Sequence, residues 1–171
     1  MNLQPILSNK FVTIRPLEKT DLEPLFQVAS DPKIWEQHPA SRHIRPEFEK
    51  FFTESLNSKG ALAIIDNDSL KIIGSSRYKE VEAIPNAIEI GWTFLDRKYW
   101  GGQYNKQVKD LMISHAFEYG DNVIFFVAKT NIRSQKAVEK INGFRIEQST
   151  FNNFPENHVD DLTYLVNKRN K

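Results

Sequence analysis

The 171-residue sequence contains no cysteine. Disulfides, thiolate metal ligands and a cysteine nucleophile are thereby excluded, and the composition fits a reducing compartment. A dominant charge is missing too. With 23 Lys+Arg against 22 Asp+Glu the formal net charge is +1, so no global field steers the chain onto nucleic acid or an anionic membrane surface. An anionic ligand must therefore be held locally. The longest apolar stretch, about Val123 to Ala128, is far shorter than the roughly 20 residues that span a bilayer. The opening MNLQPILSNK lacks the apolar core of a signal peptide. These absences predict a cytoplasmic protein with neither nucleic acid nor membrane as a partner.

Several chemistry-bearing motifs are also absent. Without G-x-x-x-x-G-K-[ST] or G-x-G-x-x-G, nucleoside triphosphates and dinucleotides are disfavoured. Without G-x-S-x-G, a serine hydrolase elbow is disfavoured as well. His38, His43, His115 and His158 are scattered and form no H-x-x-x-H pair, so no metal is expected. No Pro/Gly/Ser-rich linker or repeat interrupts the chain, which predicts one domain over 1–171. A chain of this length buries roughly 70% of its unfolded surface and supports a sizeable core.

What is present reads as mixed α/β. Phe11 to Arg15 alternates as a strand, and Thr20-Asp-Leu-Glu23 resembles a capping box ahead of an apolar stripe at Leu22, Leu25, Phe26 and Ala29. A loop over 31–45 leads to Pro46 at a first helical position, followed by Phe48, Phe51, Phe52 and Leu56 at helical spacing. Ala61–Ile65 and Leu70–Ile73 flank the turn residues Asp66-Asn67-Asp68-Ser69 and predict a hairpin. From Ala87 to Leu95, Ile88, Ile90, Trp92 and Phe94 alternate with Glu89, Gly91, Thr93 and Leu95, so both faces carry bulk and a central strand is expected.

The second half continues as a helix over 103–119 ending at Gly120, and then a strand over Val123–Val127. A helix capped by Asn131 and closed by Asn142-Gly143 follows. Two late strands, 144–149 and 162–166, complete the count, and the basic tail Asn167–Lys171 reads as solvated. The order strand, helix, strand, helix, strand from 87 to 149 implies a parallel crossover, expected to be right-handed. Ligands collect beyond the carboxyl ends of such strands. There, Trp100-Gly101-Gly102-Gln103-Tyr104-Asn105-Lys106 presents glycines and free N–H groups at a helix start, an arrangement that favours phosphate oxygens, with Lys106 adding a mobile positive charge.

Taken together, Ala87-Ile-Glu-Ile-Gly-Trp-Thr-Phe-Leu-Asp96, the turn Tyr99-Trp-Gly-Gly-Gln-Tyr-Asn105, Ala116-Phe117 and Asn131-Ile-Arg-Ser134 resemble the GNAT superfamily of acetyl-CoA-dependent N-acetyltransferases. The resemblance is to its ribosomal-protein alanine N-acetyltransferase branch and extends from Phe11 to Val166. It implies a splayed, mostly antiparallel twisted sheet of about seven strands with a parallel pair at its centre, and about four helices. Acetyl-CoA would wedge between the strands at 87–95 and 123–129, its pantetheine arm on Thr93, Phe94 and Leu95. Its pyrophosphate would lie on Gly101, Gly102, Gln103, Tyr104, Asn105 and Lys106. The superfamily signature [QR]-x-x-G-x-[GA] falls on Trp100, Gln103 and Asn105, none of which is the usual residue.

Asn131 and Ser134 match the branch's N-x-x-S, implying that Asn131 contacts the cofactor arm and Ser134 meets the leaving thiolate. Many members carry a tyrosine acid four residues later, where this chain has Val138. Glu89 matches E-[IL]-G-[YW] and is the candidate to take the amine's proton through water. A strand amide at 93–95 would polarise the thioester carbonyl. The 31–45 segment would line the acceptor side, with Trp35, His38 and Arg42, beside His43 and Arg45, reading a peptide N-terminus or a small amine. A CoA-binding module without turnover is the alternative, and a homodimer is left open.

Overall fold

The structure, a computed structural model, describes residues 1–82, 84, 86–150 and 154–170. Two short strands open the chain, β1 (Leu7–Ser8) and β2 (Val12–Pro16), with Val12 and Ile14 fully buried on one face of β2. Helix α1 (Leu22–Ala29) starts differently from the Thr20/Glu23 expectation. Arg15 grips both carboxylate oxygens of Asp21 at 2.7 Å, and Asp21 also accepts from the Glu18 N–H at 2.8 Å. The ion pair thus holds a capping box at Glu18 and Asp21, two residues ahead of the one read from spacing. Pro46 does lie in the first turn of α2 (Arg45–Asn57), whose Phe48, Phe51 and Phe52 are buried.

Strand β3 (Ala61–Asp66) turns into β4 (Ile72–Glu80), which is much longer than the Leu70–Ile73 strand predicted. Leu70 is 79% exposed in the turn at φ +58°, while Gly74, Ser75 and Ser76 are buried in the sheet. Their low strand propensity hid them, yet small size is what the position demands. A Cβ on Gly74 would stand 2.1 Å from the Phe94 carbonyl oxygen. Strand β5 (Ala87–Leu95) follows, then α3 (Tyr104–Ala116), β6 (Asn122–Ala128), α4 (Ile132–Glu139), β7 (Phe144–Ile146) and β8 (Asp161–Asn167).

Gly120 was expected to end α3 as a cap, but the helix closes at Phe117 in the right-handed region. What Gly120 supplies is room, since a Cβ there would lie 2.2 Å from the Asn86 carbonyl oxygen. Asn142, at φ +65°, does take the left-handed conformation after α4. Nor is the tail simply solvated: the Lys168 N–H donates to Asp121 at 2.9 Å and its Nζ to the Phe117 carbonyl at 2.7 Å. Lys171 of that tail lies outside the described residues.

Among the described residues all eight strands join one sheet in the order β1-β2-β3-β4-β5-β6-β8-β7, the eighth being the two-residue β1. Every neighbouring pair is antiparallel except β5 with β6. Helices α1 and α2 cover one face, where Leu25, Phe48, Phe51 and Phe52 pack with Ala61, Ala63 and Phe94. Val108, Met112 and Ile113 of α3 and Val138 of α4 join Ile14, Leu62, Ile88 and Ile90 in a second cluster. Each large apolar side chain so buried contributes roughly 1.5–3 kcal/mol, and the Tyr78 hydroxyl locks β4 to α3 through the Met112 carbonyl at 2.7 Å.

Candidate active site

The parallel pair is short. Ala87, Ile88 and Glu89 oppose Asn122, Val123 and Ile124, after which β5 runs on to Leu95 and β6 to Ala128 without pairing to each other. A wedge therefore opens in the sheet beyond Glu89. Within it β5 carries a bulge: Ser75 faces Phe94 and Arg77 faces Gly91, so Trp92 and Thr93 together oppose Ser76. Trp92 sits at φ +53°. The extra residue reverses the alternation predicted for this strand, because one added residue exchanges the two faces. Ile88 and Ile90 share the α3-side cluster with Leu95, whereas Trp92 and Phe94 join the α1/α2 side.

Both strands that form the wedge run into helix starts. After β5, Gly101 at φ +73° and Gly102 leave open space where a Cβ would stand. Gln103 precedes α3 without capping it, and the first helical bond runs from the Gln107 N–H to Gln103. The amides of Tyr104, Asn105 and Lys106 therefore have no partner within the helix. Asp66 anchors this turn by accepting from the hydroxyls of Tyr104 at 3.0 Å and Tyr99 at 3.2 Å. The Tyr104 side chain thus faces the scaffold. Lys106, expected as a mobile charge, is tied to Asp110 at 2.5 Å. After β6, buried Asn131 caps α4 by accepting from the Ser134 N–H at 3.1 Å.

Glu89, the last β5 residue before the strands part, is 3% exposed. Burial pushes its carboxyl up to about 7, against the charges of Lys79 and Arg77. It lines a cavity of about 490 Å³ together with Lys79, Glu80, Val81, Glu82, Phe126, Pro155 and His158. A Cβ on Gly91 would stand 2.9 Å from Glu89 Oε1, so the glycine keeps that face clear for the carboxylate.

The acceptor-side residues divide. Trp35 is spent on the core, 5% exposed, with its indole N–H on the Ala29 carbonyl at 2.7 Å and its ring against Phe94. His38 accepts from the Ala40 N–H at 2.9 Å, and burial followed by the Arg42 charge pushes it down to about 4. It is therefore neutral near pH 7. Arg42 lies over the Phe51 ring at 4.0 Å, and burial pushes it down to about 10.

Three side chains of this region have no role in the sequence reading. Lys109 of α3, 6% exposed, donates to Thr93 Oγ1 at 2.5 Å and lies over the Phe125 ring at 5.4 Å. It thus bridges the two parted strands, and burial pushes its amine down to about 7. A lysine among Val108, Met112 and Ile113 was the signal that could have exposed it. Arg77 lies between the Phe51 and Trp92 rings. Arg133 lies over Trp100 at 4.0 Å and donates to the Ile34 carbonyl at 2.6 Å, while its own N–H donates to Gln37 at 3.0 Å. The glycine turn, the start of α4 and the 31–38 segment thereby meet around one guanidinium.

Residues 12–145 match the family model of the acetyltransferase (GNAT) domain. Among curated proteins none matches the sequence. Among solved structures, a GCN5-related N-acetyltransferase from Brucella melitensis superposes with a TM-score of 0.80 at 18% identity, covering 98% of this chain and 80% of that one. A GNAT-family acetyltransferase from Bacillus anthracis gives a TM-score of 0.75 at 16% identity, covering 96% and 99% of the two chains. A provisionally assigned ribosomal-protein-serine acetyltransferase from Vibrio cholerae gives 0.78 at 13% identity, covering 98% and 99%. At such identities the likeness is one of fold.

Proposed function

The chain belongs to the GNAT acetyltransferase family, and from that premise we propose that it transfers an acetyl group from acetyl-CoA to a primary amine by direct attack. The acceptor is the α-amine of a protein N-terminus or a small-molecule amine. The observation that carries this reading is the parting of β5 and β6 after three residue pairs, with the starts of α3 and α4 at the open end and Glu89 at the closed one.

The pyrophosphate is assigned to the turn from Gly101 to Lys106, whose open glycines and free amides suit phosphate oxygens. The Lys106–Asp110 pair is exposed on the Lys106 side, so it is worth about 0–1 kcal/mol and yields to a phosphate. Thr93, Phe94 and Leu95 hold the pantetheine arm by backbone bonds, and an amide among them polarises the thioester carbonyl. Asn131 orients the start of α4, where the Ser134 hydroxyl meets the leaving thiolate.

Proton transfer sets the choice of amine. An α-amine with a pKa of about 8 is roughly a quarter neutral near pH 7.5, whereas a lysine amine at about 10.4 is only about 0.1% neutral. Glu89, held at about 7, is matched to take a proton from an α-ammonium group near neutral pH. Release of CoA thiol from acetyl-CoA tests the reading, with N-terminal peptides and free amines as acceptors. Thiol release that requires an amine is expected. Acetyl-CoA binding without release for any amine identifies a non-catalytic CoA-binding module, and acyl exchange without acceptor rules out direct attack.

A further inference from the structure

Two guanidinium groups share one aromatic ring on the face of the sheet that carries Glu89. Arg42, from the segment before α2, lies 4.0 Å from the centre of the Phe51 ring and 5.5 Å from that of Trp35. Arg77, from β4, lies 5.8 Å from the same Phe51 ring and 4.4 Å from that of Trp92. The β4–β5 register relates Arg77 to the candidate base, for Arg77 pairs with Gly91 and Lys79 with Glu89. Directly paired residues point to the same face of a sheet. Arg77, Lys79 and Glu89 therefore share a face, and Lys79 lines the Glu89 cavity. Arg42 joins them across Phe51. The charges of Arg42 and Asp161 both act on His38, and that of Asp161 acts on Glu89 as well.

Packing alone does not explain this arrangement. Aromatic faces offset part of the cost of desolvating a guanidinium, yet a second one on the same ring adds repulsion. Burial and then the Arg77 charge hold Arg42 below its ordinary value. Neither arginine forms an ion pair among the described residues, and Glu54, the carboxylate whose charge acts on both, stands beyond ion-pair distance. Arg77 donates to the Ser55 hydroxyl and is 8% exposed. The half-buried Arg42 guanidinium makes no hydrogen bond among the described residues, and none of its nitrogens is sealed from solvent as Arg77 Nε is. A cation so placed, repelled by its neighbour and open to solvent, is completed by an anion. Its planar fork matches a carboxylate through two parallel N–H···O bonds. A bare ammonium ion approaching Glu89 would instead meet only the repulsion of Arg42, Arg77 and Lys79 on its way.

We propose that Arg42 binds a carboxylate carried by the acceptor, so that the acceptor class is an amine bearing an acidic group. The inference rests on the acetyl-transfer reading and deepens it by naming the acceptor. The chemical step is unchanged: the carboxylate neutralises the cationic rim and orients the acceptor, and the amine gives its proton to Glu89.

Wild type, R42Q and R42K are compared for thiol release with acetyl-CoA and two pairs of acceptors whose α-amines match. One pair is a C-terminally amidated peptide with glutamate or glutamine as its second residue, and the other is glycylglycine and its amide. The wild type is expected to favour the acid in at least one pair by about tenfold or more in kcat/KM. A preference in the peptide pair assigns a protein N-terminus, and one in the dipeptide pair alone assigns a small molecule. In R42Q the preference falls to within threefold through a rise in KM for the acid. R42K, which keeps the charge but not the fork, retains only part of it and reads the same role should R42Q fail to fold, which thermal melting identifies. Acid and amide within threefold of each other in both pairs overturn the carboxylate site in the wild type alone. A folded R42Q or R42K with the full preference overturns the role of Arg42, as does a KM that rises for acetyl-CoA alone. A wild type that releases no thiol with any amine overturns instead the acetyl-transfer reading on which the inference rests.

Discussion

Replacing Glu89 by glutamine should make the protein more stable above pH 7 and leave it unchanged below pH 4.5. In the unfolded chain this carboxyl ionises near its ordinary value of 4.5, whereas burial holds it at about 7 in the folded state. Across that interval the unfolded state gives up a proton that the folded state keeps. The contribution of the group to stability is full below 4.5 and is lost as pH rises through about 7. At about 1.4 kcal/mol per pH unit the loss amounts to about 3 kcal/mol. E89Q has nearly the same shape as the protonated acid and cannot ionise, so it keeps that stability at every pH. Urea unfolding of both proteins from pH 4 to 8.5 reads the effect as a difference in ΔG. That difference should be flat below 4.5, climb between 4.5 and 7, and level off near 3 kcal/mol in favour of E89Q. Parallel stability curves would refute a buried, poised carboxyl. The same substitution should lower kcat by about 100-fold, so stability and activity move in opposite directions.

Lys109 has the opposite sign. Its unfolded amine keeps its proton to about 10.5 and its folded amine only to about 7, so the stability it adds is present above 10.5 and lost as pH falls through 7. Relative to wild type, the advantage of K109M should therefore be largest below pH 7 and shrink by about 5 kcal/mol by pH 10.5, as read by urea unfolding. N131A removes the α4 cap and should cost about 1 kcal/mol by thermal melting, with a raised KM for acetyl-CoA. D66A releases the Tyr99 and Tyr104 hydroxyls that pin the glycine turn. It should raise KM for acetyl-CoA several-fold with kcat nearly unchanged, and an unaltered KM would show that the turn holds without the anchor.

Helices α2, α3 and α4 were legible because their apolar residues recur at helical spacing, and the starts of α2 and α4 also carry Pro46 and Asn131. Strand β4 was not, because Gly74, Ser75 and Ser76 meet a requirement for close backbone approach that no propensity encodes. Thr20 and Glu23 satisfied a local pattern for the start of α1, but Arg15 reached across from β2 and claimed Asp21 instead. Of the residues assigned to the proposed site, Glu89, Asn131 and the glycine turn were proposed from motif. Arg77 and Lys79 were not, since their meaning depends on Arg42 and Glu89, which come from other segments.

The sequence by itself determined the class of fold and the order of its elements, because periodicity and turn chemistry act between near neighbours in the chain. It also excluded chemistry by a protein thiol, since there is no cysteine to perform it. Only the tertiary structure decided which way the side chains of β5 face after Gly91, because the bulge opposite Ser76 adds a residue and exchanges the faces. Only the tertiary structure decided the state of Glu89, Lys109 and His38 as well, because burial and facing charges set a pKa. Burial is set by the packing of distant segments, and the facing charges come both from near neighbours, such as Arg42 beside His38, and from other strands.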